Sequence, residues 1–249
     1  MWVLKLCMYF RRLERYDGFA PAQIRPQFLQ WKRILDVGLP AGGEFAIIFL
    51  WMGVIYYALR DFGAAAQAGF GIGTRVLGLI QMPALAIAIA AGPIAGQNFG
   101  AGNAARVRET FIRAAMIVTA VMIAFTIVSQ WQPGLLLGGF ASDPETLAVA
   151  ILFLQMISLN LVAMGLNFVS ASMFQGLGNT KPVLISSCVR LVTYSVPVLW
   201  LSARPGFRIE YAWYISNFTT ALQAVLSLWL LHLEFRKRLT PLKSGVPAE

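Results

Sequence analysis

The stretch "GPIAGQNFGAGNAARVRET", Gly92–Thr110, admits two opposite readings. Glycine recurs at Gly92, Gly96, Gly100 and Gly102, and Arg106 and Arg108 follow, a pattern that suits a loop cradling a phosphate. It suits equally the end of a membrane helix packed closely on a neighbour. No G-x-x-x-x-G-K-[ST] motif is present, and the upstream glycines of "GFGIGTRVLG" fit no G-x-G-x-x-G register. A long apolar run holding Pro83 and Pro93 leads into the stretch instead. Gly92, Gly96 and Gly100, four residues apart, fall on one helical face, the small-xxx-small spacing that lets two helix backbones approach in lipid. Glycine and proline are also simply commoner in membrane helices, so the spacing alone leaves both explanations of these glycines open.

Composition favours the membrane reading. Of 249 residues, 58% are hydrophobic and 12% charged, against roughly half and a quarter in soluble domains. Cys7 and Cys188 stand far apart, and His232 is the single histidine, so neither a disulfide framework nor a metal site is expected. Paired carboxylates within one apolar segment, a G-x-S-x-G elbow and a second histidine for a hydrolytic triad are all missing, which argues against an enzyme.

Six apolar segments are long enough to cross a bilayer, at about Gly38–Leu59, Thr74–Gln97, Phe111–Gln130, Thr146–Gly176, Pro182–Ser202 and Tyr211–His232. Such runs are helices, because an open sheet cannot satisfy its backbone in lipid. The expected fold class is therefore an all-α, polytopic bundle of six transmembrane helices. With the N-terminus taken as cytoplasmic, fifteen lysines and arginines fall on that side and three (Arg60, Arg204 and Arg208) on the other. That asymmetry absorbs most of the net charge of +9 and places both termini in the cytoplasm of a multi-pass inner-membrane protein. The basic residues face anionic lipid, and no nucleic acid is needed to explain them. Residues 1–37 read as the end of a preceding helix (Met1–Phe10) and a cytoplasmic linker, Glu14–Lys32, broken by Pro21 and Pro26. Residues 38–235 form the bundle and 236–249 a cytoplasmic tail. Pro133–Glu145 is expected to lie along the outer interface.

"GLP" (Gly38–Pro40), "GFGIGTR" (Gly69–Arg75), the opening stretch and "MFQGLGNTKP" (Met173–Pro182), in this order, resemble the multidrug and toxic compound extrusion (MATE) transporter family. The resemblance covers the chain from about Trp31 to Leu239. It implies twelve helices in two six-helix lobes with a substrate cavity between them, this chain corresponding to the C-terminal lobe and its linker. It also implies alternating access, export of small organic cations in exchange for protons or sodium, no cofactor, and a second six-helix lobe or a second copy as partner. The stub at Met1–Phe10 then hints at truncation.

Ionisable residues inside apolar spans are functional candidates by default. Glu44 begins the first full span, where it serves either the helix dipole or a proton, a sodium ion or a cationic substrate. Arg190 lies nine residues past Lys181, on a polar stripe with Ser186, Thr193, Tyr194 and Pro197. A structural role, pairing with Glu44 or with helix-end carbonyls, is favoured for it, while Tyr194 is a candidate binding residue. Arg75 reads as an interfacial anchor near the outer end of its span. Asn160, Met164 and Asn167 share a face suited to apolar cations, or the two amides bond between helices. Thr146–Gly176 carries no carboxylate beyond its first residues, so a sodium site there is not expected. The chain is expected not to transport alone. A lipid-linked oligosaccharide flippase of the same superfamily and a truncated, non-transporting membrane interaction module are the alternatives; Arg75 and Arg190 alone are few cations for a pyrophosphate.

Overall fold

The computed structural model describes residues 28–140 and 143–243. They form α1 (Phe28–Leu59), a 3-10 turn (Arg60–Phe62), α2 (Gly63–Gly100), α3 (Ala104–Trp131), α4 (Pro133–Leu137), α5 (Pro144–Ser158), α6 (Leu161–Gly176), α7 (Lys181–Ser202) and α8 (Ile209–Lys243). The sequence units Met1–Phe10 and Glu14–Gln27 lie outside the described residues. Phe28–Lys32, expected in the linker, already belong to α1, and the expected tail boundary at 235/236 falls inside α8.

By length and apolarity, four helical runs qualify as membrane spans, Ile34–Gly100, Ala104–Trp131, Lys181–Ser202 and Ile209–Leu239, and the α5–α6 pair makes a fifth. The 67-residue first run is not straight. Tyr56 and Phe70, 14 residues apart, would be about 21 Å apart along one helix, yet their ring centroids are 5.2 Å apart. The chain doubles back at Gly63, whose φ of +84° is a left-handed conformation open to glycine. α1 and α2 are therefore separate helices, which divides the first candidate span in two and makes six candidate spans among the described residues.

The surface is apolar where a soluble protein would be charged. Phe45, Phe49, Leu79, Met116, Trp131 and Val225 are all more than half exposed. Side chains of this kind in such density belong against hydrocarbon. Polar groups go inward instead, as Ser129, Ser158, Ser172, Ser216 and Thr220 do. The chain is a multi-pass membrane protein.

α2 is the central post, packed along α6, α3 and α5, while α7 packs on α8 and α8 returns to α6. Glycine makes the α2–α6 approach close. A Cβ on Gly92 would sit 2.6 Å from Ser172 Oγ, one on Gly96 3.1 Å from the Gly176 carbonyl, and one on Gly176 2.5 Å from the Gly92 carbonyl. The Ser172 hydroxyl donates to the Ala88 carbonyl in the same seam. Gly100 does not join this row: no described residue of another element lies within 4 Å of its Cβ position. It ends α2, just before a turn in which Gly102 takes φ +75°. At the other end of α2, Phe70 stacks on Trp213 (5.6 Å) and meets Phe153 edge-on (5.2 Å).

The single helix expected over Thr146–Gly176 is two, α5 and α6, bent by 60° at Leu159–Asn160. Breaking a helix in lipid frees carbonyls that need donors, and neighbours supply them. Gln130 Nε2 donates to Gln155 O (2.6 Å), Thr126 Oγ1 to Ser158 O (2.9 Å) and Asn217 Nδ2 to Met156 O (2.8 Å). The Pro133–Glu145 connection contains the short α4, and its Asp143 caps α5 by accepting from the Thr146 N–H (2.9 Å).

Candidate functional site

Glu44 lies on α1 four residues past Pro40, Arg190 nine residues into α7, and Gln223 midway along α8. Both charges are partly buried, and they do not form a direct ion pair. A chain of hydrogen bonds connects them. Arg190 Nη1 donates to Gln223 Oε1 (3.4 Å), Gln223 Nε2 donates to Ser187 Oγ (3.1 Å), and Ser187 Oγ donates to Glu44 Oε1 (3.4 Å). Every donor in the relay points toward Glu44, the polarity that a cation at one end and an anion at the other impose. The two end links are long for hydrogen bonds, so the relay is loosest where the charges are.

Aromatic residues line the same region. The Arg190 guanidinium lies 4.9 Å from the centroid of the Trp51 ring, within range of a cation–π attraction of about 2 kcal/mol when desolvated. Trp51 in turn lies 5.6 Å from Tyr194. Three buried polar atoms in this cluster, Arg190 Nε, Trp51 Nε1 and Tyr194 OH, have no hydrogen-bond partner among the described residues. Buried polar atoms are seldom left so, and three together mark a polar spot that the described residues do not satisfy. The rest of the α7 stripe faces inward: Ser186 accepts from Ser227 of α8 (3.2 Å), and Thr193 turns its hydroxyl onto the Val189 carbonyl (2.7 Å).

The structure thus brings Glu44, Arg190 and Tyr194 together and adds Trp51, Ser187 and Gln223, which the sequence reading did not single out. Gln223 carried a usable signal, as an amide in the middle of an apolar run. Trp51 did not, since a tryptophan in a membrane helix is ordinary.

The other candidates stand apart. Asn160, 6% exposed, donates to Asn217 Oδ1 (2.8 Å), bonding the α5–α6 break to α8. Met164 is buried between α2 and α6, its sulfur accepting from Gln81 Nε2 (3.1 Å). Neither is on an open face with Glu44. Asn167 has a buried Oδ1 without a partner among the described residues, elsewhere on α6. Arg75 is not near a helix end, because α2 starts at Gly63 rather than at the expected Thr74. It lies 12 residues into the helix, about 18 Å from its start, on an exposed face and without a salt bridge among the described residues.

A second polar cluster ties the "GLGNTKP" turn to its surroundings. Asn179 Nδ2 donates to Glu234 Oε1 (3.0 Å), and Arg238 Nε sits 2.5 Å from the same oxygen. Arg238 Nη1 donates to Leu177 O (2.7 Å), and Thr180 Oγ1 donates to Val37 O of α1 (2.8 Å).

The described residues thus form a polytopic membrane helix bundle with a polar relay inside it. Residues 40–201 match the MatE family, and the chain belongs to it, a family of transporters rather than enzymes. Curated relatives include the probable multidrug resistance protein NorM of Thermotoga maritima, 27% identical over 73% of this chain and 39% of the relative. The probable multidrug resistance protein YpnP of Bacillus subtilis is 29% identical over 76% of this chain and 41% of its own length. Among solved structures, an outward-facing multidrug resistance MATE family transporter of the MOP superfamily superposes with a TM-score of 0.79 at 21% identity, covering 97% of this chain and 54% of that one. A MOP superfamily transporter from Pyrococcus furiosus gives 0.78 at 20% identity, again over 97% and 54%. The chain spans about two fifths of those curated relatives and just over half of those solved chains.

Proposed function

We propose that this chain is one six-helix lobe of an antiporter that exports organic cations or drugs in exchange for protons or sodium, working with a second six-helix lobe or a second copy of itself. The observation that carries the site is the cluster of unpartnered donors beside the Glu44–Ser187–Gln223–Arg190 relay. Glu44 is the ion-exchange group. As a carboxylate it anchors the relay and attracts a cation. Once protonated it no longer balances Arg190, Ser187 turns away, and the long end links part. Trp51, which carries Arg190 against its ring, is the aromatic surface nearest the carboxylate for an aromatic cation, and the fully buried Tyr194 backs it from behind. Arg190 is held back from that cation by Trp51 and Gln223. One carboxylate with one hydroxyl beside it favours the proton over sodium, which wants several oxygen ligands.

The positive-inside asymmetry supports a multi-pass inner-membrane location with both termini cytoplasmic. The residues ahead of α1 then hold the end of the preceding helix and the inter-lobe linker, and α1 to α8 make up the lobe.

Efflux of a fluorescent organic cation from an efflux-deficient host tests the reading. Cells carrying this chain together with a complementary six-helix lobe are expected to export the dye, and cells carrying this chain alone are not. Glu44→Gln is expected to abolish export. Export unchanged in Glu44→Gln would remove Glu44 from the mechanism.

A further inference from the structure

Between the last turns of α2 and the first turns of α3 runs an open groove of about 460 Å³, walled by Ile87, Ala90, Ile94, Ala114 and Ile117. The alanines make it a groove, since larger side chains would close the gap between the helices. From Ile87 to Asn98 is 11 residues, about 16 Å of helix rise, or half of a hydrocarbon core about 30 Å thick. The groove is therefore one leaflet deep.

Its mouth is cationic. Arg106 and Arg113 stand there with Glu109 between them in sequence. Arg113 Nε is 3.8 Å from Glu109 Oε1, with both side chains more than half exposed, and such a pair is weak and easily exchanged. Arg106 has no salt bridge among the described residues. The neutral groups at the mouth are already engaged: Asn98 donates to Ile94 O and Thr110 to Arg106 O, each at 2.8 Å. The donors open to a ligand are the guanidinium of Arg106 and, by exchange from Glu109, that of Arg113, seven residues apart on one face of α3.

We propose that this groove is a binding site for an anionic phospholipid, with one acyl chain lying between α2 and α3 and the phosphate held by Arg106 and Arg113. The cationic mouth turns away the organic cations proposed as substrate. The apolar depth distinguishes the ligand from a free phosphate, which has nothing to place there. Basic pockets between membrane helices take anionic headgroups on the same physical grounds. The site is separate from the Glu44 relay and does not depend on the transport reading.

The test is lipid retention by the purified chain. The chain is extracted from vesicles of equal phosphatidylglycerol and phosphatidylcholine, and bound lipid is counted by native mass spectrometry, with circular dichroism and gel filtration reporting the fold. Wild type is expected to retain phosphatidylglycerol several-fold over phosphatidylcholine. Arg106→Gln/Arg113→Gln removes the preference, and Arg106→Lys/Arg113→Lys, which keeps the charges, preserves much of it. Arg236→Gln/Lys237→Gln loses the same charge outside the groove and leaves the preference intact. Ala90→Trp fills the groove and loses the lipid although both arginines remain. Equal loss in the two Gln pairs would mean general surface attraction and would overturn the proposal. So would phosphatidylglycerol retained by Ala90→Trp, or a wild-type dimer that Ala90→Trp dissociates, which would make the groove a protein interface.

Discussion

Glu44 on α1 and Arg190 on α7 are joined without touching, because Ser187 and Gln223 stand between them as donors that all point from the cation to the anion. Three helices are thereby coupled through one line of polar atoms. Gln223 is the only member from α8, so its removal separates α8 from both charges.

Gln223→Leu is expected to lower thermal stability in detergent by about 1 kcal/mol, since hydrogen bonds between membrane helices average about 0.6 and two are lost. A double-mutant cycle with Ser187→Ala should give a non-additive result, because both substitutions cut the same relay. Additive losses would mean that the relay does not act as a unit.

Gly176→Ala should be more harmful than any other small substitution in the seam. Its new Cβ would meet the Gly92 carbonyl at 2.5 Å, and backbone cannot swing aside as a side chain can. Overpacking of this kind costs about 1–3 kcal/mol. Gly100→Ala, with open space around it, should leave the unfolding midpoint unchanged or raise it slightly by stiffening the unfolded chain.

Arg238→Leu removes the partner of Glu234, which is 8% exposed, and the donor to Leu177 O. A buried carboxylate left with only Asn179 should cost about 2–3 kcal/mol, read as a lower unfolding temperature. Adding Glu234→Gln should recover part of that loss, because the stranded charge is gone.

Asp143, outside the spans, is held below its ordinary pKa of 3.8 by hydrogen bonds from the Thr146 hydroxyl and then the Thr146 N–H. A depressed carboxyl stabilises fully above its unfolded pKa and loses that contribution as pH falls through the folded one. The α5 cap should therefore be at full strength above about pH 4 and fade below it. Asp143→Asn should flatten this acid limb in thermal melts recorded from pH 6 to 3.

Much of this fold was legible in the sequence, because apolar runs of membrane length need no tertiary information. The break at Leu159–Asn160 was not. Neither proline nor glycine marks it, and the carbonyls it frees are bound by Gln130, Thr126 and Asn217 from helices far away in sequence. Gly176 escaped notice for a related reason. Spacing on one helix reveals the Gly92–Gly96 face but says nothing of which glycine lies opposite. The start of α2 at Gly63 was hidden by a run of small residues, and Arg75 was misplaced with it. At the site, Glu44 and Arg190 stood out as charges in apolar surroundings. Trp51 and Ser187 belong to residue types too common in membrane helices to attract attention alone.

The bend between α5 and α6 has a mechanical consequence. A joint braced by three struts, two from α3 and one from α8, is a weld and not a pivot, so those helices travel as one frame. α1 is hung differently. Its Val37, Glu44 and Trp51 meet α7 and the turn before it, and its Tyr56 meets α2, at separate points outside that frame, and no described atom packs on the Cβ positions of Gly38, Gly42 and Gly53. If the lobe changes shape, the frame keeps its angle and α1 is the shutter that swings, with the Ser187 link to Glu44 as its catch.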